Sequence, residues 1–295
     1  MKLRDYLFVL HAVLKTSQQE HYFYKYILNN QLSENDLPLS QRDFTNLLAK
    51  YANYQFLQGT VVKEYTVFLE DFINEYEKYQ SLKFLAICDK EYPRQLKEIY
   101  QAPVILFYEG NPNFLKSPML TIVGTRTMTD YGKKILEEFI PKIINAGITV
   151  VSGLAKGIDV FAHQLVLSNK GTAIAVIGNG TNVNYPLENQ STQRQIIDNG
   201  LLLSEYFPKS RPKQYHFPAR NRILAGLTSA TLVVEAKERS GSLITAAYAT
   251  QENRNVLAVP GNLNHDNSNG TNKLIADGAK AILKVDDILN EIICY

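Results

Sequence analysis

The chain has 295 residues, a size that allows one or two domains, and its 45% hydrophobic and 20% charged residues exclude a disordered or fibrous protein. Its formal net charge of +2 is too small to indicate a nucleic-acid partner by itself, so any basic surface must be local. The polar N-terminal segment argues against a signal peptide, and no apolar run reaches membrane-spanning length, so we predict a cytoplasmic protein with no membrane partner.

The first 80 residues carry the spacing of amphipathic helices. Ser40 and Asp43 offer a helix start before the second of two apolar stripes. The stripes comprise Leu3, Tyr6, Leu7, Leu10 and Leu14, then Phe44, Leu47, Leu48 and Tyr51. We predict a small all-helical N-terminal domain over residues 1–80, whose aromatic residues belong to its core.

From Leu82 the pattern changes to short extended runs, and from Met119 these alternate with helical segments. Strands are predicted within 82–87, 104–110, 119–124, 148–153, 172–178, 201–206, 230–236 and 255–261. Helices are predicted near Asp130–Ala146, Ile158–Ser168, Leu187–Asp198, 219–227, Leu243–Glu252 and Asn272–Gly278. Continuous Val/Ile/Leu strands indicate burial on both faces, so residues 81–295 are predicted to form an α/β, extended Rossmann-like domain with a mainly parallel sheet flanked by helices.

The predicted carboxyl ends of the strands share a composition of glycine, small polar residues and basic residues. The four segments are 124–126, 152–157, 178–180 and 235–242. Ligands of open α/β sheets bind outside these strand ends, where glycine allows close approach and the following helices present free N–H groups. Four such loops on one edge predict a site for phosphate groups.

A basic and aromatic segment follows the LLLSEY strand. Between Ser204 and Arg222 it holds five basic residues against one acidic residue, Glu205. The basic residues are Lys209, Arg211, Lys213, Arg220 and Arg222, interleaved with Tyr206, Phe207, Tyr215 and Phe217. A guanidinium can hold a phosphate and a ring can stack on a base, so the segment favours binding of a polyanion such as nucleic acid.

The sequence argues against several common kinds of functional site. The turn after Gly124 reads TRTMTDYG, which lacks the glycine spacing of a dinucleotide-binding loop, and no GxxxxGK[ST] motif occurs. Asp159 and His163 lie four residues apart on a predicted helix; a hydrogen bond that orients the helix is favoured over an acid/base pair. Cys88 and Cys294 lack metal-ligand spacing and are typical of reduced thiols. We predict no catalysis, no cofactor and no metal.

An ordered series of motifs resembles the DNA-processing protein A (DprA/Smf) family over roughly residues 85–285. The series is IVGTR, SGLAKGIDVFAH, AVIGNG followed by YP, SEYFP, FPARNRILAGL, VVEAKERSGSLITA, VLAVPG and GTNKLIADGA. The resemblance implies a Rossmann-like domain that binds single-stranded DNA as a homodimer and loads the recombinase RecA during natural transformation. It also implies a SAM-like helical domain at the N-terminus, which residues 1–80 resemble loosely. Because the chain stops at Tyr295, we expect no C-terminal winged helix.

The basic pocket that the resemblance implies includes Arg126, Lys156 and the FPARNR segment. Lys156 stands where many relatives have arginine, a change that keeps the charge but loses the bidentate fork, and Thr125 replaces a commoner serine. Arg220 and Arg222 are two apart on a helix and point to different sides, so one is expected to face DNA and the other to pack; the sequence does not say which. The full set predicted to contact DNA is Gly124, Arg126, Ser152, Gly153, Lys156, Gly157, Phe217, Arg220, Asn221, Arg222, Ser240, Gly241, Ser242 and Lys273.

Two other functions stay open at this point. A nucleotide-phosphate hydrolase of the phosphoribohydrolase type would use the same strand ends with Glu235 as an acid, although the loop after it reads AKERSGS and not PGGxGT. Alternatively the helical N-terminal domain could be the functional part, as a protein-interaction module. For Ser240, Gly241 and Ser242, helix capping competes with phosphate binding as an explanation.

Overall fold

The computed structural model describes residues 1–14, 16–51 and 55–293, and Cys294 lies outside this range. Within it the chain divides into two compact units. The first comprises Met1–Tyr92 and Gln101–Leu106, and the second comprises Pro93–Tyr100 and the residues from Phe107 onward. No helix in the described ranges combines the length and the apolar character that crossing a bilayer would need.

The first unit is built mainly from helices around an aromatic core. Its elements are α1 (Leu3–Val13), α2 (Ser17–Asn29), α3 (Gln41–Tyr51), α4 (Gln55–Asn74), α5 (Tyr76–Gln80) and β1 (Phe84–Ala86). The predicted first stripe faces inward, since Tyr6, Leu7 and Leu10 are fully buried. The Phe44 and Tyr65 rings stack with centroids 3.9 Å apart, and the hydroxyls of Tyr6 and Tyr65 lie within 3.2 Å. The spacing of apolar residues thus correctly indicates which side of α1 faces the core.

The strand β1 belongs to this unit, which therefore extends past the boundary predicted at residue 80. The Arg4 guanidinium donates to the Phe84 carbonyl at 2.8 Å, and the Phe8 and Phe84 rings lie 5.0 Å apart. These contacts join the first helix to a segment 80 residues away. The spacing of apolar residues cannot predict such a contact, because it depends only on residues that are close together along the chain.

The second unit is a layered α/β domain. Its strands are β2 (Ile105–Gly110, of which 107–110 lie in this unit), β3 (Met119–Val123), β4 (Thr149–Ser152), β5 (Ala173–Ile177), β6 (Leu201–Ser204), β7 (Ala230–Val233), β8 (Asn255–Ala258) and β9 (Lys280–Ala281). Its helices are α6 (Arg94–Lys97), α7 (Asp130–Asn145), α8 (Ile158–Ser168), α9 (Gln190–Asn199), α10 (His216–Leu227), α11 (Gly241–Gln251), α12 (Asp266–Ala276) and α13 (Val285–Ile293). Two 3-10 turns lie at Pro112–Lys116 and Leu187–Asn189.

The strands lie in the order β2-β6-β5-β4-β3-β7-β8-β9. Only the β2–β6 pairing is antiparallel among those described, and every residue of β3 through β7 is buried. Burial on both faces is what continuous apolar strands require, and the predicted α/β class with a mainly parallel sheet flanked by helices is confirmed.

The sheet has a topological switch point beside β3. From β3 the chain moves outward through β4, β5 and β6, and it then returns through α10 to place β7 on the other side of β3. The register pairs Leu120 with Val150 on one side and Val123 with Val233 on the other, so the loops after all three strands emerge at one edge. Loops that diverge at a switch point leave a crevice between them, and this is where open α/β sheets bind ligands.

Two helices begin three or more residues earlier than the sequence predicts. The helix α10 starts at His216 rather than 219, because Pro218 falls in its first turn, where a missing N–H costs nothing. The helix α12 starts at Asp266 rather than Asn272, since His265 caps it by accepting from the Asn267 N–H at 3.3 Å. A histidine cap is outside the usual Ser/Thr/Asp/Asn signal.

Candidate nucleic-acid interface

A cavity of about 690 Å³ opens at the switch point. The loops after β3, β4 and β7 and the first turns of α10 and α11 form its walls. Its charged lining consists of Arg126, Lys213, Arg220, Lys237 and Arg239, opposed by the carboxylate of Asp159. A concave surface with this excess of positive charge concentrates polyanions. All of these residues belong to the second unit.

Glycine allows the loops after β3 and β4 to pack against each other. Gly157 has a φ of +80°, and a Cβ there would lie 2.3 Å from the Thr125 carbonyl oxygen. A Cβ on Gly124 would meet the Ile158 side chain at 2.6 Å. No other residue fits both the backbone conformation at Gly157 and the space left for it. The close approach at these two predicted glycines thus fixes the loop that carries Arg126, whose side chain is exposed.

Asp159 ties the same two loops together from below. Its buried carboxylate accepts hydrogen bonds from the backbone N–H groups of Gly124, Gly153 and Ala155, while burial raises its pKa to about 6. His163 instead lies within 3.2 Å of the Ile174 carbonyl through Nε2, and burial lowers its pKa to about 4, so that the ring is neutral near pH 7. The two side chains hold α8 in place separately, which agrees with an orienting role.

The structure separates Arg220 from Arg222. Arg220 lies under the cavity, 5% exposed, and donates through Nη1 to the carbonyls of Gly153 (2.8 Å) and Val176. Burial lowers its pKa to about 10, against the opposing effect of Asp159, so the guanidinium keeps its charge at neutral pH. Arg222 is absent from the cavity lining and forms a buried ion pair with Glu205, at 2.5 and 2.9 Å. Of the two arginines, Arg220 is the one on the cavity side.

The N-terminus of α11 forms the opposite wall. Ser240 caps the helix by accepting from the Ser242 N–H at 3.3 Å, and the two hydroxyls lie 2.7 Å apart. Gly241 is exposed, its carbonyl accepting from Asn221 Nδ2 at 3.2 Å. Ser240 therefore acts as a cap, and the positive end of the helix is presented to the cavity together with Lys237.

The remaining predicted contacts lie in different places. Phe217 lines the cavity, half-buried. Ser152 is fully buried and donates to the Ile122 carbonyl at 2.6 Å, which is a bond inside the sheet. Lys273 is exposed on α12 and is not among the lining residues.

The predicted contact set omits four basic or aromatic lining residues, one of which is Lys213 of the basic segment. Lys237 and Arg239 lie in the loop singled out after β7, but they are not in the predicted set. Tyr185 also lines the cavity, and its ring centroid lies 5.4 Å from that of Phe217. The motif that ends in Tyr185-Pro186 offers a signal, because an exposed aromatic residue beside a glycine loop can stack on a base.

Lys156 is absent from the lining of the large cavity and lies in the lining of a smaller cavity beside it. It forms an ion pair with Glu188, and both side chains are at least half exposed. The neighbouring ammonium lowers the pKa of the Glu188 carboxyl. An exposed pair of this kind is weak, because water and salt screen it. Glu188 therefore competes with any phosphate for Lys156 without blocking access to it.

Replacing Glu188 with glutamine is expected to strengthen binding of single-stranded DNA about twofold to fivefold, because it frees Lys156 and removes a negative charge beside it. The slope of log K against log salt should steepen by about 0.7. Fluorescence anisotropy with a labelled oligonucleotide at several salt concentrations measures both. Glu137→Gln is the matched control, since Glu137 pairs with Lys133 in an exposed pair on α7. Equal affinities and slopes in the two variants would show that Lys156 does not contact DNA.

Glu235, the acid that a hydrolase would need, is engaged elsewhere. It is 2% exposed, and its carboxylate accepts from the Thr129 N–H at 3.0 Å and from the Thr129 hydroxyl at 2.5 Å. A Cβ at Gly132 would lie 2.3 Å from its Oε2. The carboxylate thus stabilises the positive N-terminal end of α7, and this structural task accounts for its position.

Comparison with known proteins places the chain among DNA-processing proteins. The family model for DNA recombination-mediator protein A matches residues 83–293. The DNA processing protein DprA of Streptococcus pneumoniae is 47% identical over 217 residues, 74% of this chain and 76% of that protein. The DprA of Bacillus subtilis is 42% identical over 214 residues, 72% of each chain.

Solved structures agree with the sequence matches. The crystal structure of Streptococcus pneumoniae DprA superposes with a TM-score of 0.87 and 39% identity, covering 99% of both chains. A structure of DNA processing protein A from Helicobacter pylori, described for its single-stranded DNA binding mode, gives a TM-score of 0.64 and 28% identity over 71% of this chain and 95% of that one. The ordered motifs, the fold and the matches agree: the chain belongs to the DNA recombination-mediator protein A family.

Proposed function

We propose that this chain binds single-stranded DNA at the carboxyl edge of its parallel sheet and serves DNA processing in natural transformation. The observation that carries the proposal is the cavity at the switch point, where exposed and buried cations surround a helix N-terminus and an aromatic residue. Phosphate contacts from Arg126 and Lys213 would fix the backbone, and Phe217 offers a ring for one base. The single-stranded DNA binding mode of the Helicobacter pylori relative supports this substrate class.

Selectivity for single strands is expected from stacking on the aromatic rings of the site. The cavity, about 690 Å³, lies between loops, and its aromatic rings can stack only on bases that are already unpaired. Phosphate contacts carry no information on base identity, so binding through them is expected to be independent of sequence. A paired duplex offers no exposed bases to these rings.

The partners and the cellular role extend the proposal through family resemblance. We infer that the protein acts in the cytoplasm as a homodimer, protects incoming strands and delivers them to RecA, without catalysing a reaction. In the C-terminal segment Leu283 is 78% exposed, but Val285, Ile288 and Ile292 of α13 are buried in the core of this chain. The homodimer is therefore inferred from family resemblance alone. The position of Glu235 at the N-terminus of α7 favours binding over hydrolysis.

A mobility-shift assay tests the proposal directly. We expect retention of a single strand and much weaker retention of a duplex of the same sequence, at two salt concentrations. The single-strand affinity should fall as salt rises, with a slope of about 0.7 for each phosphate contacted. Equal binding of both forms, or release of free base from nucleoside monophosphates over many turnovers, would contradict the proposed function.

A further inference from the structure

A cavity of about 480 Å³, which we call the α7–α12 cavity, lies where the loops after β3, β7 and β8 meet the first turns of α7 and α12. Its lining includes Thr129, Tyr131, Glu235, Pro260, His265 and Ser268, all of the second unit. Among the described residues, none lines both this cavity and the large one, so the two can be occupied independently. Sites for small organic ligands usually enclose about 300–1,000 Å³, and the α7–α12 cavity falls within that range.

The α7–α12 cavity differs from the large cavity in its charge. Among the described residues that line it, Glu235 is the only carboxylate, and none is a lysine or an arginine. The first turns of the two helices already carry acidic residues, Asp130 and Asp266. A phosphate would meet the buried Glu235 carboxylate without a cation to offset the repulsion. The lining therefore favours an uncharged ligand that donates hydrogen bonds, and it disfavours the DNA backbone.

Two side chains of the lining have hydrogen-bonding capacity that the protein does not use. The Glu235 carboxylate accepts two hydrogen bonds from Thr129, at 3.0 and 2.5 Å, whereas a carboxylate can accept about four. Ser268 is 6% exposed, and its hydroxyl bonds to no other residue that the structure describes. Buried polar groups are almost always paired, so a buried hydroxyl that lines a cavity without a partner points to a ligand.

The loop after β8 holds a glycine against this hydroxyl. A Cβ at Gly261 would lie 2.2 Å from the Ser268 Oγ, so no larger residue fits there without moving the hydroxyl. The Asn272 side chain fixes the glycine from both sides, since its Oδ1 accepts from the Gly261 N–H at 3.1 Å and its Nδ2 donates to the Gly261 carbonyl at 3.0 Å. The hydroxyl is thus held in position before any ligand binds, which lowers the cost of binding.

An aromatic ring forms another wall of the α7–α12 cavity. Tyr131 is 43% exposed, and its hydroxyl donates to the Pro260 carbonyl at 2.7 Å. This hydrogen bond fixes the ring between α7 and the loop after β8. The ring and the adjacent proline offer an apolar surface on which a flat ring can pack.

We propose that the α7–α12 cavity binds a ribonucleoside, an uncharged molecule with a flat base and two adjacent ribose hydroxyls. The hydroxyls donate to the Glu235 carboxylate and bond to the Ser268 hydroxyl, while the base packs on Tyr131. In dinucleotide-binding domains, a carboxylate at the carboxyl end of a parallel strand binds ribose hydroxyls in the same way. The site is separate from the proposed DNA site, and it distinguishes ribose from the deoxyribose of DNA by the 2′-hydroxyl.

Calorimetric titration of the full chain with adenosine, guanosine, cytidine and uridine tests the proposal. We expect saturable binding of at least one of them, about fivefold or more tighter than binding of its 2′-deoxy form, its free base or ribose. Ser268→Ala should weaken that binding about fivefold without loss of stability, because no hydrogen bond within the protein is removed. Tyr131→Ala should weaken it by a similar factor. Ser168→Ala is the matched control, since it changes an exposed serine on α8 and should keep the wild-type affinity.

The same titration in the presence of saturating oligodeoxythymidine separates the two cavities. The affinity for the ribonucleoside should stay within about twofold, and Lys213→Ala should leave it unchanged, because the sites share no lining residue. Displacement of the ribonucleoside by the strand would place it in the large cavity and overturn the proposal. Equal affinity for the ribo and 2′-deoxy forms, wild-type affinity of Ser268→Ala, or no binding of any of the four would also overturn it. A chain that binds the ribonucleoside as expected but does not retain the strand would contradict the proposed function alone.

Discussion

Replacing Arg222 with alanine is expected to destabilise the protein by about 3–5 kcal/mol. The guanidinium donates two hydrogen bonds to the Glu205 carboxylate, and both side chains are 5% exposed. It also donates to the Ala219 carbonyl at 3.0 Å. Removing it leaves the Glu205 charge buried without this partner, and the desolvation cost of that charge exceeds the loss of any surface contact. Chemical denaturation followed by circular dichroism measures the change in unfolding free energy.

Two further variants make this result specific. Arg211→Ala changes an exposed arginine of the same basic segment and should alter stability by no more than about 0.5 kcal/mol. The double variant Arg222→Met with Glu205→Leu removes both charges and should recover most of the loss. An Arg222→Ala protein that keeps wild-type stability but binds single-stranded DNA weakly would return Arg222 to the binding site.

The strand ends were predictable because they follow from local patterns. Continuous apolar runs located β3, β4 and β7, and parallel strands bring their carboxyl ends to one edge by geometry alone. Arg126 and the loop before α11 could therefore be placed together without knowledge of any contact. The resemblance to a known family added the substrate, which no spacing supplies.

The sequence alone could not show which of Arg220 and Arg222 faces the cavity and which forms the buried ion pair. Two residues two apart on a helix point in different directions, but the direction that meets the cavity depends on the packing of α10. Arg220 meets carbonyls 44 and 67 positions away, and Arg222 meets a carboxylate 17 positions away. For the same reason, the sequence could not show that the Glu235 carboxylate accepts a hydrogen bond from Thr129, 106 positions away.

Simultaneous replacement of Arg126, Lys237 and Arg239 with alanine is expected to weaken binding of single-stranded DNA about a hundredfold. All three side chains are exposed and line the large cavity, so their loss removes charge without leaving a buried group unsatisfied. A charged hydrogen bond contributes about 1 kcal/mol or more at such a site, and three together give about 3 kcal/mol, which is about two powers of ten in Kd. The slope of log K against log salt should fall by about 2, since each lost phosphate contact removes about 0.7.

The control for this variant removes the same number of charges elsewhere. Lys116, Lys134 and Lys142 are exposed and do not line the cavity, so their triple alanine variant changes net charge equally. It should keep the wild-type slope and lose only the small affinity that long-range attraction supplies. Anisotropy titrations at several salt concentrations distinguish the two variants. A cation that contacts a phosphate directly releases counterions from the DNA, and this release sets the salt slope. Equal slopes in the two triple variants would therefore mean that binding depends on net charge and not on the switch-point cavity.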